Sequence, residues 1–227
     1  MSELYFSLDV ETDGPIAPLN SMIQIGLTAF NLTRCPIARY TASLLPLPGA
    51  VEDPDTLRWW METDEKKARW SAIRINAKPA EVVMPEVMWW IAAEAAKEKA
   101  EPICCASPVG YDWCFFRYYT IRYAYAGQES IFRHRCWDAR SHAMGILGKE
   151  YLHCGKEGVP QSWRPKELPH THDAGDDSLE QAVQFQRQMQ AAIDQRLSAL
   201  AWAKLAPMAK GVSDLYNQTR QFIKENL

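Results

Sequence analysis

Three short apolar runs open the chain, and each is interleaved with the β-branched and aromatic residues that favour strands. They cover residues 4–10, 22–31 and 36–45. Because strands that follow one another in sequence usually pair, the pattern predicts a three-stranded meander.

The next part of the chain alternates between helical and strand patterns. Segments 54–69 and 85–99 each begin with a proline and continue in strong helix formers, so they predict the first two helices. Segment 102–107 is a short apolar run between prolines, which predicts a buried strand. Aromatic residues at helical spacing predict a helix over 113–126.

The second half of the chain is predicted to be mostly helical. It contains a possible strand in 130–137, a helix over 139–147, and a loop over 148–172 that is rich in glycine, proline and charge. Long loops in compact enzymes often carry function. An uninterrupted helical pattern over 177–205 and a final amphipathic helix over 210–227 complete the chain.

The order of these elements predicts an α/β fold with a mixed sheet, in which an antiparallel meander lies beside parallel crossovers. A chain of 227 residues with 47% hydrophobic content can bury one substantial core. We therefore predict a main domain over residues 1–195 and a C-terminal helical extension over 196–227.

Charge and cysteine usage narrow the class of protein. Lys and Arg total 25 against 28 Asp and Glu, so a general cationic field is absent and any contact with nucleic acid must be local. The six cysteines form no C-x-x-C pair, the N-terminus lacks a signal pattern, and the longest apolar stretch is too short to span a bilayer. A reduced, cytoplasmic setting without a membrane segment is expected.

Carboxylates stand at the ends of two predicted strands. Asp9 and Glu11 are two residues apart at the end of the first strand, so both point to the same face. Asp112 follows the strand at 102–107, at the start of a helix, where it can reach the same point if the two strands are neighbours. A lone D-x-E pair is a weak signal, and two solvated carboxylates on an exposed strand face are the alternative.

A histidine and a further carboxylate precede the long helix. His172 and Asp177 lie in an H-x-A-x-x-D pattern at its start. Hydrolysis of a phosphodiester uses two divalent ions, which prefer oxygen ligands, and a neutral histidine can accept the proton of the attacking water. Taken alone, His172 is better explained as a surface histidine at a helix start.

In order and local context, these five residues resemble the signature of the DEDDh, or DnaQ-like, 3′-to-5′ exonucleases. The T-x-x-W-W stretch from Thr56 to Trp60, followed by Glu65, Ala68 and Arg69, and the Trp137-Asp138 pair are similar to the branch of RNase AS-like exoribonucleases and phage exonucleases. The resemblance implies a ribonuclease-H-like fold, with a five-stranded mixed sheet flanked by helices and a C-terminal helix appended.

The same resemblance implies a role for each residue of the signature. His172 would be the general base, and two Mg²⁺ or Mn²⁺ ions would be held by a set of four carboxylates. The set consists of Asp9, Glu11, Asp112 and Asp177. Thr12 and Gly14 correspond to positions that grip the terminal nucleotide. The chain departs from the usual pattern at Asp13, in place of a small or hydroxyl residue, and at Pro108, where an asparagine is common.

Two tryptophan pairs raise the question of stacking. Adjacent residues on a helix point about 100° apart, so Trp59 and Trp60 cannot both fill one core site. A base stacked on such a ring gains about 1 to 3 kcal/mol without reading sequence, which suits a single-stranded end. Core packing beside a partner contact is equally favoured for this pair. For Trp89 and Trp90 we favour packing, at a subunit contact of a homodimer.

The sequence thus predicts a metal-dependent 3′-to-5′ exonuclease that releases nucleoside 5′-monophosphates from single-stranded nucleic acid. RNA is favoured over DNA on the resemblance alone. The alternatives are a DNA-directed exonuclease, an enzyme on another phosphodiester, and a catalytically silent nucleic-acid-binding or scaffold module of the same fold.

Overall fold

A computed structural model describes the backbone of residues 2–124 and 131–226, and the side chains of these ranges up to residue 202 and at residue 221. The chain divides into two compact units, Met1–Gln188 and Met189–Leu227. The second unit consists of the later turns of the last helix. In the described part of the chain, no helix combines the length and apolarity needed to cross a membrane.

The first unit is built on a five-stranded mixed sheet with the strand order β3-β2-β1-β4-β5. The strands are β1 (Ser2–Thr12), β2 (Met22–Phe30), β3 (Ala38–Ser43), β4 (Ala100–Ala106) and β5 (Cys136–Asp138). β1 pairs with β2 and β2 with β3 in antiparallel register, whereas β4 runs parallel to both β1 and β5. The predicted α/β class and five-stranded mixed sheet are confirmed.

Six α-helices surround or follow this sheet in the described chain. They are α1 (Pro54–Trp60), α2 (Asp64–Ile75), α3 (Ala80–Lys97), α4 (Val109–Tyr119), α5 (Ala139–Leu147) and α6 (Ala174–Asn226). α4 continues into one turn of π-helix over Thr120–Ala124. The loop before α6 contains two short 3₁₀ turns, Tyr151–Cys154 and Gln161–Trp163.

The helix predicted over 54–69 is two helices. α1 ends at Trp60, and the side chain of Thr63 accepts a hydrogen bond from the backbone N–H of Lys66 to begin α2. A threonine that caps a helix stabilises a start at that residue, so it separates two segments that have similar helical propensity. The prediction of one continuous helix was wrong for this reason.

The helix predicted to begin at Pro85 begins at Ala80 and carries Pro85 inside it. The extra turn places Ala80, Val83 and Met84 in the hydrophobic core, beside Val87 of the predicted segment. Burial of these side chains outweighs the backbone hydrogen bond that the proline cannot donate.

The two helices predicted over 177–205 and 210–227 form one helix, α6, from Ala174 to Asn226. α6 runs through both Pro207 and Gly211, so neither the proline nor the glycine, which costs a helix about 1 kcal/mol relative to alanine, ends it. The helix predicted over 113–126 starts earlier, at Val109, and its residues 125–126 lie outside the described chain. The strand predicted in 130–137 is limited to Cys136–Asp138 among the described residues.

The central strand β1 separates a hydrophobic core from a polar face. Leu4, Phe6, Leu8 and Val10 are buried in the main hydrophobic cluster, which also contains side chains of α3 and α4. The alternating residues of β1 point to the opposite face, where Asp9 meets the first turns of α6. A single strand therefore provides both the core and the polar groups considered below.

The start of α6 lies against the neighbouring strand β2 at Gly26. A Cβ built on Gly26 would overlap the backbone carbonyl of Ala174, so β2 and the first residue of α6 can approach only where this position has no side chain. On the same face, the hydroxyl of Thr28 hydrogen-bonds that of Ser178 at 2.9 Å. Gly26 therefore sets the depth at which α6 begins on the sheet.

Replacement of Gly26 by alanine is expected to lower the free energy of unfolding by about 1 to 3 kcal/mol, because the overlap is with backbone that must shift. Urea unfolding followed by circular dichroism measures the change. The control is Gly145→Ala on the exposed face of α5, where a Cβ meets nothing within 4 Å and should add about 0.5 to 1 kcal/mol of stability. Equal stability of the two variants would contradict the role assigned to Gly26.

Candidate active site

Three carboxylates converge where β1 faces α6. Asp9 and Glu11 come from the end of β1, and Asp177 comes from the first turn of α6. Each offers a ligand oxygen, and these oxygens all lie within 4.8 Å of one another. Two residues on the same face of β1 and one residue of α6 thus place three carboxyl groups close together.

Asp112 provides a fourth carboxylate beside this group. It lies in the first turn of α4 and is buried, and its Oδ1 accepts a hydrogen bond from the backbone N–H of Val10 at 3.2 Å. Val10 stands between Asp9 and Glu11, so the hydrogen bond fixes Asp112 against the end of β1. The four residues are called the carboxylate cluster below.

Burial, with repulsion from neighbouring carboxylates at Asp9 and Glu11, raises the pKa of three members of the carboxylate cluster. Removal from water, followed by the charges of Asp112, Glu11 and Asp177, raises the pKa of Asp9 well above its usual value. Burial, followed by the charge of Asp177, raises the pKa of Glu11 to about 8. Burial raises the pKa of Asp112 to about 7. Such a set of crowded oxygen donors fits hard divalent cations, which favour the ionised form.

One neutral side chain supports the cluster from α6. Gln181 lies one turn beyond Asp177 and donates from Nε2 to Oδ1 of Asp9 at 2.5 Å. The amide orients Asp9 without adding charge. Sequence analysis did not identify Gln181, and its only signal there was its spacing of four residues from Asp177 on the same helix face.

His172 lies at the rim of the cluster in the turn that leads into α6. Its backbone N–H donates to Oδ2 of Asp177 at 3.1 Å, and that of Thr171 donates to Oδ1 at 3.0 Å. Burial, together with the charge of His170, lowers the pKa of the His172 imidazole. The ring is therefore neutral near pH 7, as a group that accepts a proton must be.

A second histidine, His170, lies beside His172, with the two ring centroids 4.6 Å apart. Its Nδ1 is 3.2 Å from Asp177 Oδ2 and 3.1 Å from Glu180 Oε2, and Lys156 pairs with the other oxygen of Glu180 at 2.6 Å. Hydrogen bonds to Asp177 and Glu180 raise the pKa of His170 to about 9. Sequence analysis missed this residue, although the H-x-H spacing with His172 was visible.

An aromatic pocket of about 390 Å³ opens next to Glu11. Thr12, Trp59 and Tyr111 line it, and the hydroxyls of Thr12 and Tyr111 are 2.5 Å apart. Trp60 forms its base, since it is only 1% exposed and donates from its indole N–H to the carbonyl of Thr12 at 3.1 Å. Trp59 is partly exposed, and its ring packs against His172 with the centroids 4.8 Å apart.

The two departures from the sequence pattern, Asp13 and Pro108, lie in different turns, one after β1 and one before α4. Asp13 is buried and accepts a hydrogen bond from the backbone N–H of Ser21, so its side chain closes the turn. Gly14 is packed so closely against Asn20 that a Cβ would overlap the Asn20 side chain. Pro108 stands directly before α4 and precedes Asp112 by one turn, where it begins the helix.

The second tryptophan pair lies on α3, away from the cluster. Trp90 packs against Phe6 and Tyr40, with ring centroids 5.7 and 5.6 Å away, whereas Trp89 is 71% exposed. The predicted packing role thus holds for Trp90. A subunit contact at Trp89 stays a prediction.

The raised pKa values predict how the metal-free protein responds to pH. A carboxyl whose pKa is higher in the folded than in the unfolded state binds its proton more tightly when folded, so its contribution favours folding at low pH. We expect the free energy of unfolding to fall by on the order of 2 kcal/mol as the pH rises from 5 to 8, where Glu11 and Asp112 ionise. His170, with a pKa near 9, loses its stabilising charge in the same direction.

Urea titrations of EDTA-treated protein across this pH range measure the effect. Addition of Mn²⁺ should flatten the dependence, because a cation compensates the ionised carboxylates. A metal-free protein equally stable at pH 5 and pH 8 would show that the cluster is not strained by its charges.

The fold of this chain is similar to the fold of solved 3′ exonucleases, one of which is a DEDDh family member. The nuclease domain of 3′hExo, a DEDDh family member bound to rAMP, matches 83% of this chain and 92% of its own, with a TM-score of 0.55 and 13% identity. A full-length 3′-exonuclease matches 84% of this chain and 83% of its own, with a TM-score of 0.58 and 13% identity.

E. coli Exonuclease I in complex with a dT13 oligonucleotide is also similar, with a TM-score of 0.52 and 14% identity over 88% of this chain and 42% of its own. No protein-family model and no curated protein matches the sequence. At these identities the similarity establishes the ribonuclease-H-like fold. The RNase AS-like branch stays a prediction.

Proposed function

We propose that this protein is a 3′-to-5′ exonuclease that uses two Mg²⁺ or Mn²⁺ ions to release nucleoside 5′-monophosphates from single-stranded nucleic acid. The observation that carries the proposal is the carboxylate cluster itself, in which four oxygen-bearing side chains crowd together beside a neutral imidazole. When bound, two such ions supply a hydroxide for attack and stabilise the leaving oxyanion.

The residues divide this chemistry between them. Asp9, Glu11, Asp112 and Asp177 would hold the ions, and all of their donor atoms are the hard oxygens that these ions prefer. His172 would accept the proton of the attacking water from its position at the rim. Its lowered pKa keeps it in the neutral form that this step requires.

The aromatic pocket would bind the terminal nucleotide. Its residues Thr12 and Trp59 lie directly beside Glu11, so a nucleotide there would place its 5′ phosphate next to the cluster. The exposed part of Trp59 offers a ring for stacking without reading sequence. Gly14, with Trp60 behind the Thr12 carbonyl, would shape the pocket and keep its backbone in place.

The single-stranded nucleic acid would enter between α1, which carries Trp59, and the loop before His172. The preference for RNA rests on the sequence similarity to the RNase AS-like branch. The structurally similar proteins include one bound to rAMP and one bound to a DNA oligonucleotide, so the fold is compatible with either sugar. A contact to the 2′-hydroxyl would distinguish them.

The test uses 5′-labelled single-stranded RNA and DNA of the same sequence, incubated with the full chain and Mn²⁺. We expect products that shorten by one nucleotide at a time from the 3′ end, faster with RNA, and no products in EDTA. An otherwise identical oligonucleotide with a blocked 3′ end is the control and should persist.

Each of the other outcomes would support a different function for this protein. Internal cleavage products would indicate an endonuclease. Binding of the oligonucleotide without products in any divalent ion would indicate the silent binding module. Faster removal of deoxynucleotides would indicate the DNA-directed enzyme.

A further inference from the structure

The backbone at His172 adopts a conformation that needs support from its surroundings. Its φ is +53°, in the left-handed region that costs a residue with a side chain roughly 1 to 2 kcal/mol. Such a conformation persists where neighbouring groups impose it. The contacts of the adjacent residues, Asp173 and Ala174, show which groups these are.

The carboxylate of Asp173 is bound from four directions. Its Oδ1 accepts hydrogen bonds from the backbone N–H groups of Gly175 at 3.1 Å and Asp176 at 3.3 Å, which caps the start of α6. Its Oδ2 accepts from Nη1 of Arg69 at 2.8 Å and from Nε2 of Gln24 at 3.0 Å. Oδ1 therefore caps the start of α6, and Oδ2 binds the turn to α2 and β2.

Gln24 extends this attachment by one residue. Its side chain is buried, and its Oε1 accepts the backbone N–H of Ala174 at 2.9 Å while its Nε2 holds Asp173. In the sheet, Gln24 lies directly opposite Glu11 of the carboxylate cluster. The two residues that follow His172 are thus fixed to the strand neighbouring the cluster.

Arg69 differs from the other contacts because it approaches from outside the sheet. It lies on α2, its side chain is 29% exposed, and together with His172 it lines a pocket of about 630 Å³. Its partner Asp173 is not a member of the cluster. Loss of Arg69 would therefore release the turn without removing a candidate metal ligand.

We propose that Arg69 is a positioning residue for His172: by fixing Asp173, with Gln24 at the same oxygen, it holds the imidazole at the angle required to accept a proton. The inference rests on the function proposed above, in which His172 is the general base. Arg69 acts through Asp173 and leaves the pocket for the terminal nucleotide intact.

The experiment compares Arg69→Met with Arg39→Met. Arg39 also binds the first turn of α6, donating to the carbonyl of Gly175 at 2.8 Å and pairing with Asp176 at 2.9 Å, but it does not hold Asp173. In the oligonucleotide assay, Arg69→Met should lower kcat about 10- to 100-fold with KM changed by less than about twofold. Arg39→Met should stay near the wild-type kcat.

Two further variants separate positioning from general stability. Arg69→Lys should recover most of kcat, since one nitrogen of Arg69 contacts Asp173. Asp173→Ser keeps a side chain that caps helices and removes the oxygen that Arg69 binds. It should lower kcat at least as much as Arg69→Met, because Gln24 binds the same oxygen, and the double variant should lose no more than Asp173→Ser alone.

A measurement that does not require catalysis tests the effect of Arg69 on His172 independently of the proposed function. The chain has five histidines, so the ring C–H signals of His172 can be resolved by NMR in the full chain. These signals should shift in Arg69→Met and Asp173→Ser but not in Arg39→Met. Thermal unfolding confirms that each variant is folded.

The outcomes are distinguishable. An inactive wild type would end the proposed function, while the NMR comparison would still decide whether Arg69 fixes His172. Unchanged kcat and unchanged His172 signals in Arg69→Met would overturn the inference. A raised KM with unchanged kcat in Arg69→Met would also overturn the inference, because it would indicate that Arg69 contacts the substrate.

Discussion

Replacement of Asp9 by asparagine is expected to lower kcat for mononucleotide release about a thousandfold or more while leaving the fold intact. Asp9 interacts with all three of the other carboxylates in the cluster. An amide in its place cannot balance the charge of two divalent ions, so the site loses its ability to hold them. Its carbonyl oxygen can still accept the hydrogen bond from Gln181.

Asp9 is a better choice for this test than Asp177. Both oxygens of Asp177 accept backbone N–H groups, from Thr171 and His172, so an amide there would also disturb the turn that carries the imidazole. At Asp9 the amide replaces a carboxyl whose ionisation is already opposed by burial and by its neighbours. The metal-free variant should be as stable as the wild type or more stable.

The matched control is Asp64→Asn, which removes the same charge from a fully exposed side chain in the first turn of α2. It should leave kcat and Mn²⁺ binding unchanged. Calorimetric titration with Mn²⁺ separates lost metal binding from lost chemistry. If Asp9→Asn retained near-native turnover, the assignment of the cluster as the metal site would be wrong.

Replacement of His172 by asparagine is expected to lower kcat about 10²- to 10⁴-fold without abolishing Mn²⁺ binding. Asparagine is the appropriate substitute because, like histidine, it tolerates the left-handed region that this residue occupies. Alanine there would add backbone strain to the loss of the imidazole. The expected loss therefore reports the missing base.

The pH profile provides an independent check of the same assignment. Because burial and the charge of His170 lower the pKa of His172, the wild-type rate should decline only below the ordinary titration range of histidine, where the imidazole gains a proton. This limb should be absent in His172→Asn. The control His153→Asn alters an exposed histidine in the loop before α6 and should keep the wild-type profile.

Much of the candidate site could be predicted because its residues stand at the ends of regular elements. Asp9 and Glu11 share a face through the period of a strand, and Asp112 follows a strand that proves to be the parallel neighbour of β1. His172 and Asp177 belong to one turn at a helix start. Each of these relations is local in sequence or follows from the strand order.

The parts that could not be predicted depend on how helices are placed on the sheet. Gln181 reaches Asp9 only because Gly26 allows α6 to approach β2. Arg69 reaches Asp173 only because α2 is a separate helix that begins at its own cap, Thr63. A pattern of hydrophobic positions predicts that a helix forms. It does not predict which residues of that helix will contact an element distant in sequence.

The strand order has a consequence for the timing of synthesis. β1 is made first but lies in the middle of the sheet, and its partner β4 lies about a hundred residues later in the chain. The cluster is closed by Asp177, after most of the first unit has been made. A ribosome-bound fragment that stops before α6 thus carries two aspartates and a glutamate without their fourth member. The proposed metal site is therefore completed only when α6 has been synthesised and has folded onto the sheet.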